Sequence, residues 1–113
     1  MRALIKKNAQ EIRCLHGRIH ETFAEQPHGT AHKEACSDFH SKYDSLAFPG
    51  GYELGLRKII EGDSAALESA LLFLEVQPYF FRSQYIRTKL IRLLKRADLS
   101  KSQKTRFKNC ISR

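Results

Sequence analysis

The chain has 113 residues, 42% of them apolar and 10% aromatic, which is enough for one hydrophobic core and too short for two. This composition excludes a disordered tail, and no apolar run approaches the roughly 20 residues of a membrane-spanning helix. The formal net charge of +8 is unevenly distributed. Residues 1–75 carry nine basic and eleven acidic side chains, whereas residues 76–113 carry eleven basic side chains and the single acid Asp98.

A long helix followed by a loop is predicted for residues 1–29. Apolar side chains recur at intervals of three, four or seven positions, at Ile5, Ile12, Leu15, Ile19 and Phe23. This spacing places them on one stripe of a helix that runs from about Ala3 to Ala24. Pro27 and Gly29 then interrupt the helical pattern.

Residues 30–113 are predicted to form a helical core that ends in the basic third of the chain. The second helix begins near Thr30, a favourable N-cap residue, and ends at about Leu46, before a proline and two glycines. The third helix covers Tyr52 to Glu61, and Gly62 ends it in the left-handed conformation. The side chains expected to face the core are Phe39, Tyr43 and Leu46, followed by Leu56, Ile59 and Ile60.

Three more helices are predicted in the second half of the chain. The fourth runs from about Ala65 to Glu75 after a cap at Asp63 or Ser64 and is apolar around most of its circumference, so we expect it at the centre of the core. The fifth covers 83–97 with Ser83 as its N-cap. The sixth covers 101–111 behind a capping box of Ser100 and Gln103. Their predicted core residues are Leu67, Ala70, Leu71, Phe73 and Leu74, then Ile86, Leu90, Leu93, Leu94 and Ala97, then Phe107 and Ile111.

These elements predict an all-α single domain, 1–113, built as a compact bundle of five to six short helices. The same elements also allow two stacked helical hairpins in a repeat-like superhelix. In that arrangement the segment 30–46 pairs with 52–61, and 64–75 pairs with 83–97. No sequence self-similarity decides between the two.

Four potential metal ligands follow one another at four-residue intervals, the spacing of one helical turn: His28, His32, Cys36 and His40. Imidazole and thiolate both bind zinc. However, Pro27 and Gly29 place His28 outside the helix, and each four-residue step drifts by about 40° around the axis. We therefore predict a half-buried His32 and a small core Cys36 rather than a metal site.

No catalytic constellation is visible in the sequence. His16 and His20 are one turn apart, but they lack the Glu of an H-E-x-x-H zinc motif, and neither a G-x-S-x-G elbow nor a phosphate-binding P-loop occurs. We predict a non-enzymatic protein without a cofactor. The odd count of cysteines, Cys14, Cys36 and Cys110, does not suit a disulfide framework, and we expect a reducing cytoplasm.

The strongest candidate site is the aromatic and basic segment 79–87 with the basic flank of the helix that follows. Arginine stacks on aromatic rings and binds carboxylates or phosphates with two parallel hydrogen bonds. Phe80 and Phe81 are expected to anchor this segment in the core. The predicted binding residues are Tyr79, Arg82, Tyr85, Arg87, Lys89, Arg92 and Arg96.

The near absence of acids after residue 75 favours an acidic partner, because a merely solubilising surface mixes both signs of charge. We predict that this surface binds and inhibits or regulates an acidic protein, as immunity proteins do. We predict no binding to a membrane. Sequence-nonspecific binding of RNA or DNA is the alternative. A DNA-reading helix-turn-helix is excluded, because about seven residues separate Glu75 from Ser83 where that motif has three or four.

Two segments carry a resemblance to a known family: L-A-F-P-G-G at 46–51 and F-L-E-V-Q-P-Y-F-F-R-S-Q-Y at 73–85. They resemble a small bacterial family of all-helical proteins of unknown function, over roughly residues 33–111. The resemblance implies a helical fold and offers no catalytic residues to transfer. Glycine is expected in these relatives at the position of Gln84.

Overall fold

The structure, a computed structural model, describes residues 1–112. This part of the chain contains six helices and no strand: α1 (Arg2–Glu25), α2 (Thr30–Ala47), α3 (Tyr52–Glu61), α4 (Ser64–Val76), α5 (Ser83–Arg96) and α6 (Lys101–Ile111). The predicted all-α bundle is confirmed. Each predicted helix boundary lies within one residue of the observed one.

Local hydrogen bonds explain why several of these boundaries are predictable. Asp63 caps α4, since its Oδ2 accepts from the backbone N–H of Ala66 at 2.9 Å. Gly62 ends α3 with φ of 82°, a left-handed value that glycine adopts without steric cost. Before α6, Ser100 Oγ accepts from Gln103 N–H at 3.2 Å and the Gln103 side chain accepts from Ser100 N–H at 2.9 Å. These three contacts confirm the predicted caps.

Two predicted N-caps are wrong. Thr30 is already the first residue of α2, and Gly29 precedes it without a side-chain cap. Ser83 is likewise the first residue of α5, and Arg82 occupies the cap position with φ of 65°. The Ser83 hydroxyl accepts instead from the N–H of Phe80, on the preceding turn, so it stabilises the connection rather than the free amides of the helix.

Helix α4 lies at the centre of the core, as its composition predicts. It packs against α1, α3, α5 and α6, and it is the helix with the most buried residues. Its core side chains are Ala66, Leu67, Ala70, Leu71, Phe73 and Leu74. Helices on several sides exclude water from most of the α4 circumference, which explains why α4 lacks the polar face of a surface helix.

The most extensive helix–helix packing joins α1 and α2 as a hairpin, whereas α2 and α3 meet over a smaller area. Ile5, Ala9 and Ile12, in the first half of α1, belong to the main core, and α1 also packs on α4. The molecule is elongated, with principal extents of 53 × 27 × 22 Å.

Three side chains predicted to face the core are exposed: Phe23, Ile60 and Ile111. Ile59 and Cys110, the residues immediately before Ile60 and Ile111, are the buried ones. Adjacent residues lie about 100° apart around a helix, so burial of one turns the next away from the same neighbour. No helix among residues 1–112 is long and apolar enough to cross a membrane.

Candidate functional site

The candidate site begins at the link between α4 and α5, residues 77–82, which two left-handed residues shape. Gln77 has φ of 54° and Arg82 has φ of 65°, a conformation that costs a non-glycine residue on the order of 1 kcal/mol. Ser83 closes the link on Phe80 with two hydrogen bonds. Its N–H donates to the Phe80 carbonyl at 3.0 Å, and its hydroxyl accepts from the Phe80 N–H at 3.2 Å.

The two phenylalanines of the link differ in burial. The Phe80 ring is buried, with its centroid 6.2 Å from that of Phe73 and 6.1 Å from that of Tyr43, so the predicted core anchor is confirmed for Phe80. Phe81 remains 39% exposed and packs 4.7 Å from the ring of His16. As a core anchor, Phe81 was predicted wrongly, because its ring packs on His16 of α1 and Phe39 of α2 at the edge of the core and is not enclosed.

Helices α1 and α2 tether the backbone of the link. Arg13 of α1 donates to the carbonyl of Tyr79 at 2.6 Å, and the Tyr43 hydroxyl of α2 donates to the carbonyl of Phe81 at 2.6 Å. Burial raises the pKa of Tyr43 to about 12, against a smaller opposing effect of the Arg82 charge. The phenol thus stays protonated as a donor. These two hydrogen bonds hold the backbone of the link, while Tyr79 is 80% exposed.

Three predicted residues meet on one flank of α5: Tyr85, Lys89 and Arg92. Together with Tyr52, Gln84 and Thr88 they line a concavity of about 520 Å³ at the border of α3 and α5, which we call the Tyr85 groove. The Tyr85 ring is 77% exposed, whereas partial burial raises the pKa of Tyr52. The groove therefore combines two aromatic side chains with two cations.

Two other predicted residues, Tyr79 and Arg87, line a second concavity of about 400 Å³, which we call the Tyr79 cleft. Its remaining walls are Phe73, Gln77, Pro78, Ser83 and Gln84. Arg87 Nη2 donates to the carbonyl of Cys110 at 3.3 Å, while its Nη1 is buried without a hydrogen-bond partner in the described chain. Gln84 borders both concavities, so the groove and the cleft adjoin each other.

The structure places the last two predicted residues elsewhere. Arg82 lies over the ring of Phe81, with its Cζ 5.2 Å from the centroid, in a cation–π contact. Arg96, at the far end of α5, lines a separate depression beside the exposed Ile60. The seven predicted residues thus surround a groove, a cleft and two outlying cations rather than one pocket.

Within residues 1–112, no carboxylate pairs with the predicted basic residues of this surface. Among residues 1–112, the ion pairs are formed by Arg2, Arg18 and Arg106, so none of the five predicted basic residues has a carboxylate within 4.0 Å. Arg106 shows the contrast, because it binds Glu68 and Glu75 at 2.7 Å each. The unpaired charges leave a positive potential over the groove and the cleft.

The histidines and cysteines do not assemble into a metal centre. Within the described chain, no group of three His, Cys, Asp or Glu side chains converges as ligands. His28 lies exposed in the loop before α2, and His40 is exposed beside the Phe39 ring. His32 and Cys36 are half-buried and contact each other. Cys14 is exposed and Cys110 is buried.

Sequence reasoning missed Tyr52, the second aromatic residue of the Tyr85 groove. Tyr52 precedes Tyr85 by more than thirty positions, and its place at the start of α3 carries no periodic pattern that would link it to α5. Gln84 belongs to the predicted segment 79–87 without being a predicted binding residue, and it borders both concavities. The one available signal is a tyrosine directly after the helix-breaking turn at 49–51, because tyrosine is enriched at interfaces.

The chain matches none of the family models, curated proteins or solved structures with which it was compared. The candidate site is therefore interpreted from its own residues.

Proposed function

We propose that this protein is a non-enzymatic helical binding module that binds, and thereby inhibits or regulates, an acidic protein partner. The binding surface is centred on the Tyr85 groove and extends across Gln84 into the Tyr79 cleft. The observation that carries the proposal is the groove itself, in which Tyr52 and Tyr85 lie beside Lys89 and Arg92.

The side chains of the groove are better suited to binding a protein partner than to forming a merely hydrated surface. An exposed tyrosine ring is large, apolar and stiff, and a partner that covers it buries on the order of 150–250 Å² at little entropic cost. Tyr and Arg are the residues that most often dominate the binding energy of interfaces. An aspartate or glutamate entering beside Lys89 and Arg92 would meet cations that no carboxylate of the described residues pairs with.

Charge supports the same partner class. Unpaired cations around a concavity accelerate the approach of an acidic surface and reject a basic one. The formal charge of the last third, with its single acid Asp98, extends this effect beyond the groove. In this proposed complex the tyrosines provide specificity for the partner, and the basic residues attract its acidic surface.

Binding of single-stranded nucleic acid is the second candidate, and the exposure of Tyr79 and Tyr85 favours it. Both rings are about four-fifths exposed, and an exposed ring beside cations can stack on a base. Such binding would weaken steeply with salt and show little preference between sequences. Binding to a protein groove would depend less on salt and more on the shape around Tyr85.

The decisive experiment compares two charge reversals on the same helix. The tagged chain is used to capture partners, which are identified by mass spectrometry and nucleic-acid staining, and affinity for the purified partner is then measured by calorimetry. Arg92→Glu is expected to weaken binding at least about tenfold. Lys95→Glu makes the same change in net charge but lines neither concavity, so it should alter affinity less than about threefold.

A third variant tests the aromatic component. Tyr85→Ala should weaken binding by about 2 kcal/mol, or about thirtyfold, if Tyr85 is a central contact. Equal effects of Arg92→Glu and Lys95→Glu would indicate nonspecific electrostatics. Retention of wild-type affinity by both Arg92→Glu and Tyr85→Ala would refute the proposed surface. Capture of nucleic acid alone, with salt-sensitive affinity, would favour the second candidate.

A further inference from the structure

A hydrogen-bonded chain of three side chains lies in the α1–α2 hairpin, at residues that the proposed binding surface does not use. The Sγ of Cys36 is 3.6 Å from His32 Nε2, and His32 Nδ1 is 3.1 Å from Thr22 Oγ1. His32 and Cys36 are one turn apart on α2, and Thr22 contacts His32 from α1. The hairpin therefore places a thiol, an imidazole and an orienting hydroxyl in sequence.

The hydroxyl of Thr22 determines which nitrogen of His32 carries the proton. Thr22 Oγ1 is 2.7 Å from the carbonyl oxygen of Arg18 and 3.2 Å from that of Ile19. A carbonyl accepts but cannot donate, so the single hydroxyl proton points to these oxygens. Thr22 must then accept the hydrogen of Nδ1, which leaves the lone pair of the neutral His32 on Nε2, facing the thiol.

We propose that Cys36 is a covalent modification site, a nucleophilic thiol that forms mixed disulfides with low-molecular-weight disulfides. His32 Nε2 accepts the thiol proton, and the Cys36 thiolate attacks one sulfur of the disulfide. A new sulfur–sulfur bond forms while the original one breaks, and its electron pair leaves on the released thiolate. That thiolate takes the proton back from His32, so one protein thiol and one disulfide yield one mixed disulfide and one free thiol.

The surroundings of the three cysteines provide internal controls. Cys36 is partly accessible, as an attack on a small disulfide requires. Cys14 is exposed, but its thiol has no hydrogen-bond partner in the described chain, and Cys110 is buried. If accessibility alone governed the reaction, Cys14 would react first. Faster reaction at Cys36 would therefore reveal assistance by His32.

The test measures the rate at which each cysteine of the folded full chain reacts with glutathione disulfide. The reaction is stopped with acid at successive times, and peptide mass spectrometry reads the mixed disulfide at each position. Cys36 is expected to react at least about tenfold faster than Cys14. His32→Gln should slow Cys36 at least about tenfold, whereas His20→Gln, on the exposed surface of α1, should leave the rate unchanged.

Thr22→Val keeps the shape of the side chain but removes the acceptor for Nδ1–H, so it should slow Cys36 about threefold or more. Circular dichroism verifies that each variant is folded. A folded His32→Gln variant with an unchanged Cys36 rate would overturn the proposal, as would wild-type Cys36 reacting no faster than Cys14. If His32→Gln fails to fold, an unchanged rate in folded Thr22→Val overturns it equally.

Discussion

Substitution of Gly55 by alanine is predicted to destabilise the protein, although alanine is normally preferred over glycine inside a helix. Gly55 lies in α3 against the ring of Phe48. A Cβ atom added at Gly55 would lie 2.5 Å from Phe48 Cδ2 and 2.7 Å from Phe48 Cε2. Phe48 is only 1% exposed, so the ring cannot move into solvent to relieve the clash.

The magnitude follows from two opposing terms. Replacing glycine by alanine in a helix interior stabilises by about 1 kcal/mol, whereas overpacking a core costs about 1–3 kcal/mol. The net effect at Gly55 is a loss of up to about 2 kcal/mol. Gly17, in the middle of α1, is the matched control, because an added Cβ there has no atom within 4 Å. Gly17→Ala should gain about 1 kcal/mol.

Urea unfolding followed by circular dichroism measures both variants against the wild type. We expect the free energy of unfolding of Gly55→Ala to be lower than that of Gly17→Ala by about 1–3 kcal/mol. If both substitutions stabilise by similar amounts, the close contact of Gly55 with Phe48 is refuted. A change in the slope against urea would instead indicate an altered denatured or native state.

Two further predictions concern tertiary contacts. Tyr43→Phe loses the hydrogen bond to the Phe81 carbonyl and should cost about 1 kcal/mol at neutral pH. Folding raises the pKa of Tyr43 from 10.0 to about 12. As the pH rises through this range, the unfolded chain loses the phenol proton before the folded chain does, so the stability of the wild type decreases. The deficit of Tyr43→Phe in urea titrations should therefore shrink as pH rises from 10 to 12, and a constant deficit would contradict the argument. Arg106→Met removes the contacts to Glu68 and Glu75 and should lower the free energy of unfolding by about 1–3 kcal/mol in thermal unfolding. The control, Lys108→Met at an exposed position, should change it by less than about 0.5 kcal/mol. Equal effects of the two substitutions would refute a stabilising network.

The helices could be predicted from the sequence because their ends depend on local chemistry. The Asp63 cap, the left-handed Gly62 and the Ser100–Gln103 capping box each involve only three or four consecutive residues. The wrong caps show the limit of this reasoning. Serine is a common N-cap residue, but the backbone conformation of the link directs the Ser83 hydroxyl to the N–H of Phe80 instead.

The candidate site was predicted less completely, because side chains on one helix flank need not face the same neighbour. Tyr85, Lys89 and Arg92 do share a groove, as their spacing indicates, but Tyr52 joins them from α3. Arg87 turns toward the carbonyl of Cys110 in α6. No local pattern contains either contact.

The sequence by itself determined the six helices, the central place of α4 and the separation of a near-neutral body from a basic last third. Caps, helix-breaking residues and apolar spacing act within a few positions, and charge is simply counted. Only the tertiary structure decided which residues of the basic third surround a concavity, and that Thr22 of α1 joins His32 and Cys36 of α2. A periodic stripe shows that a helix face is covered, but the covering residues come from segments distant in the chain.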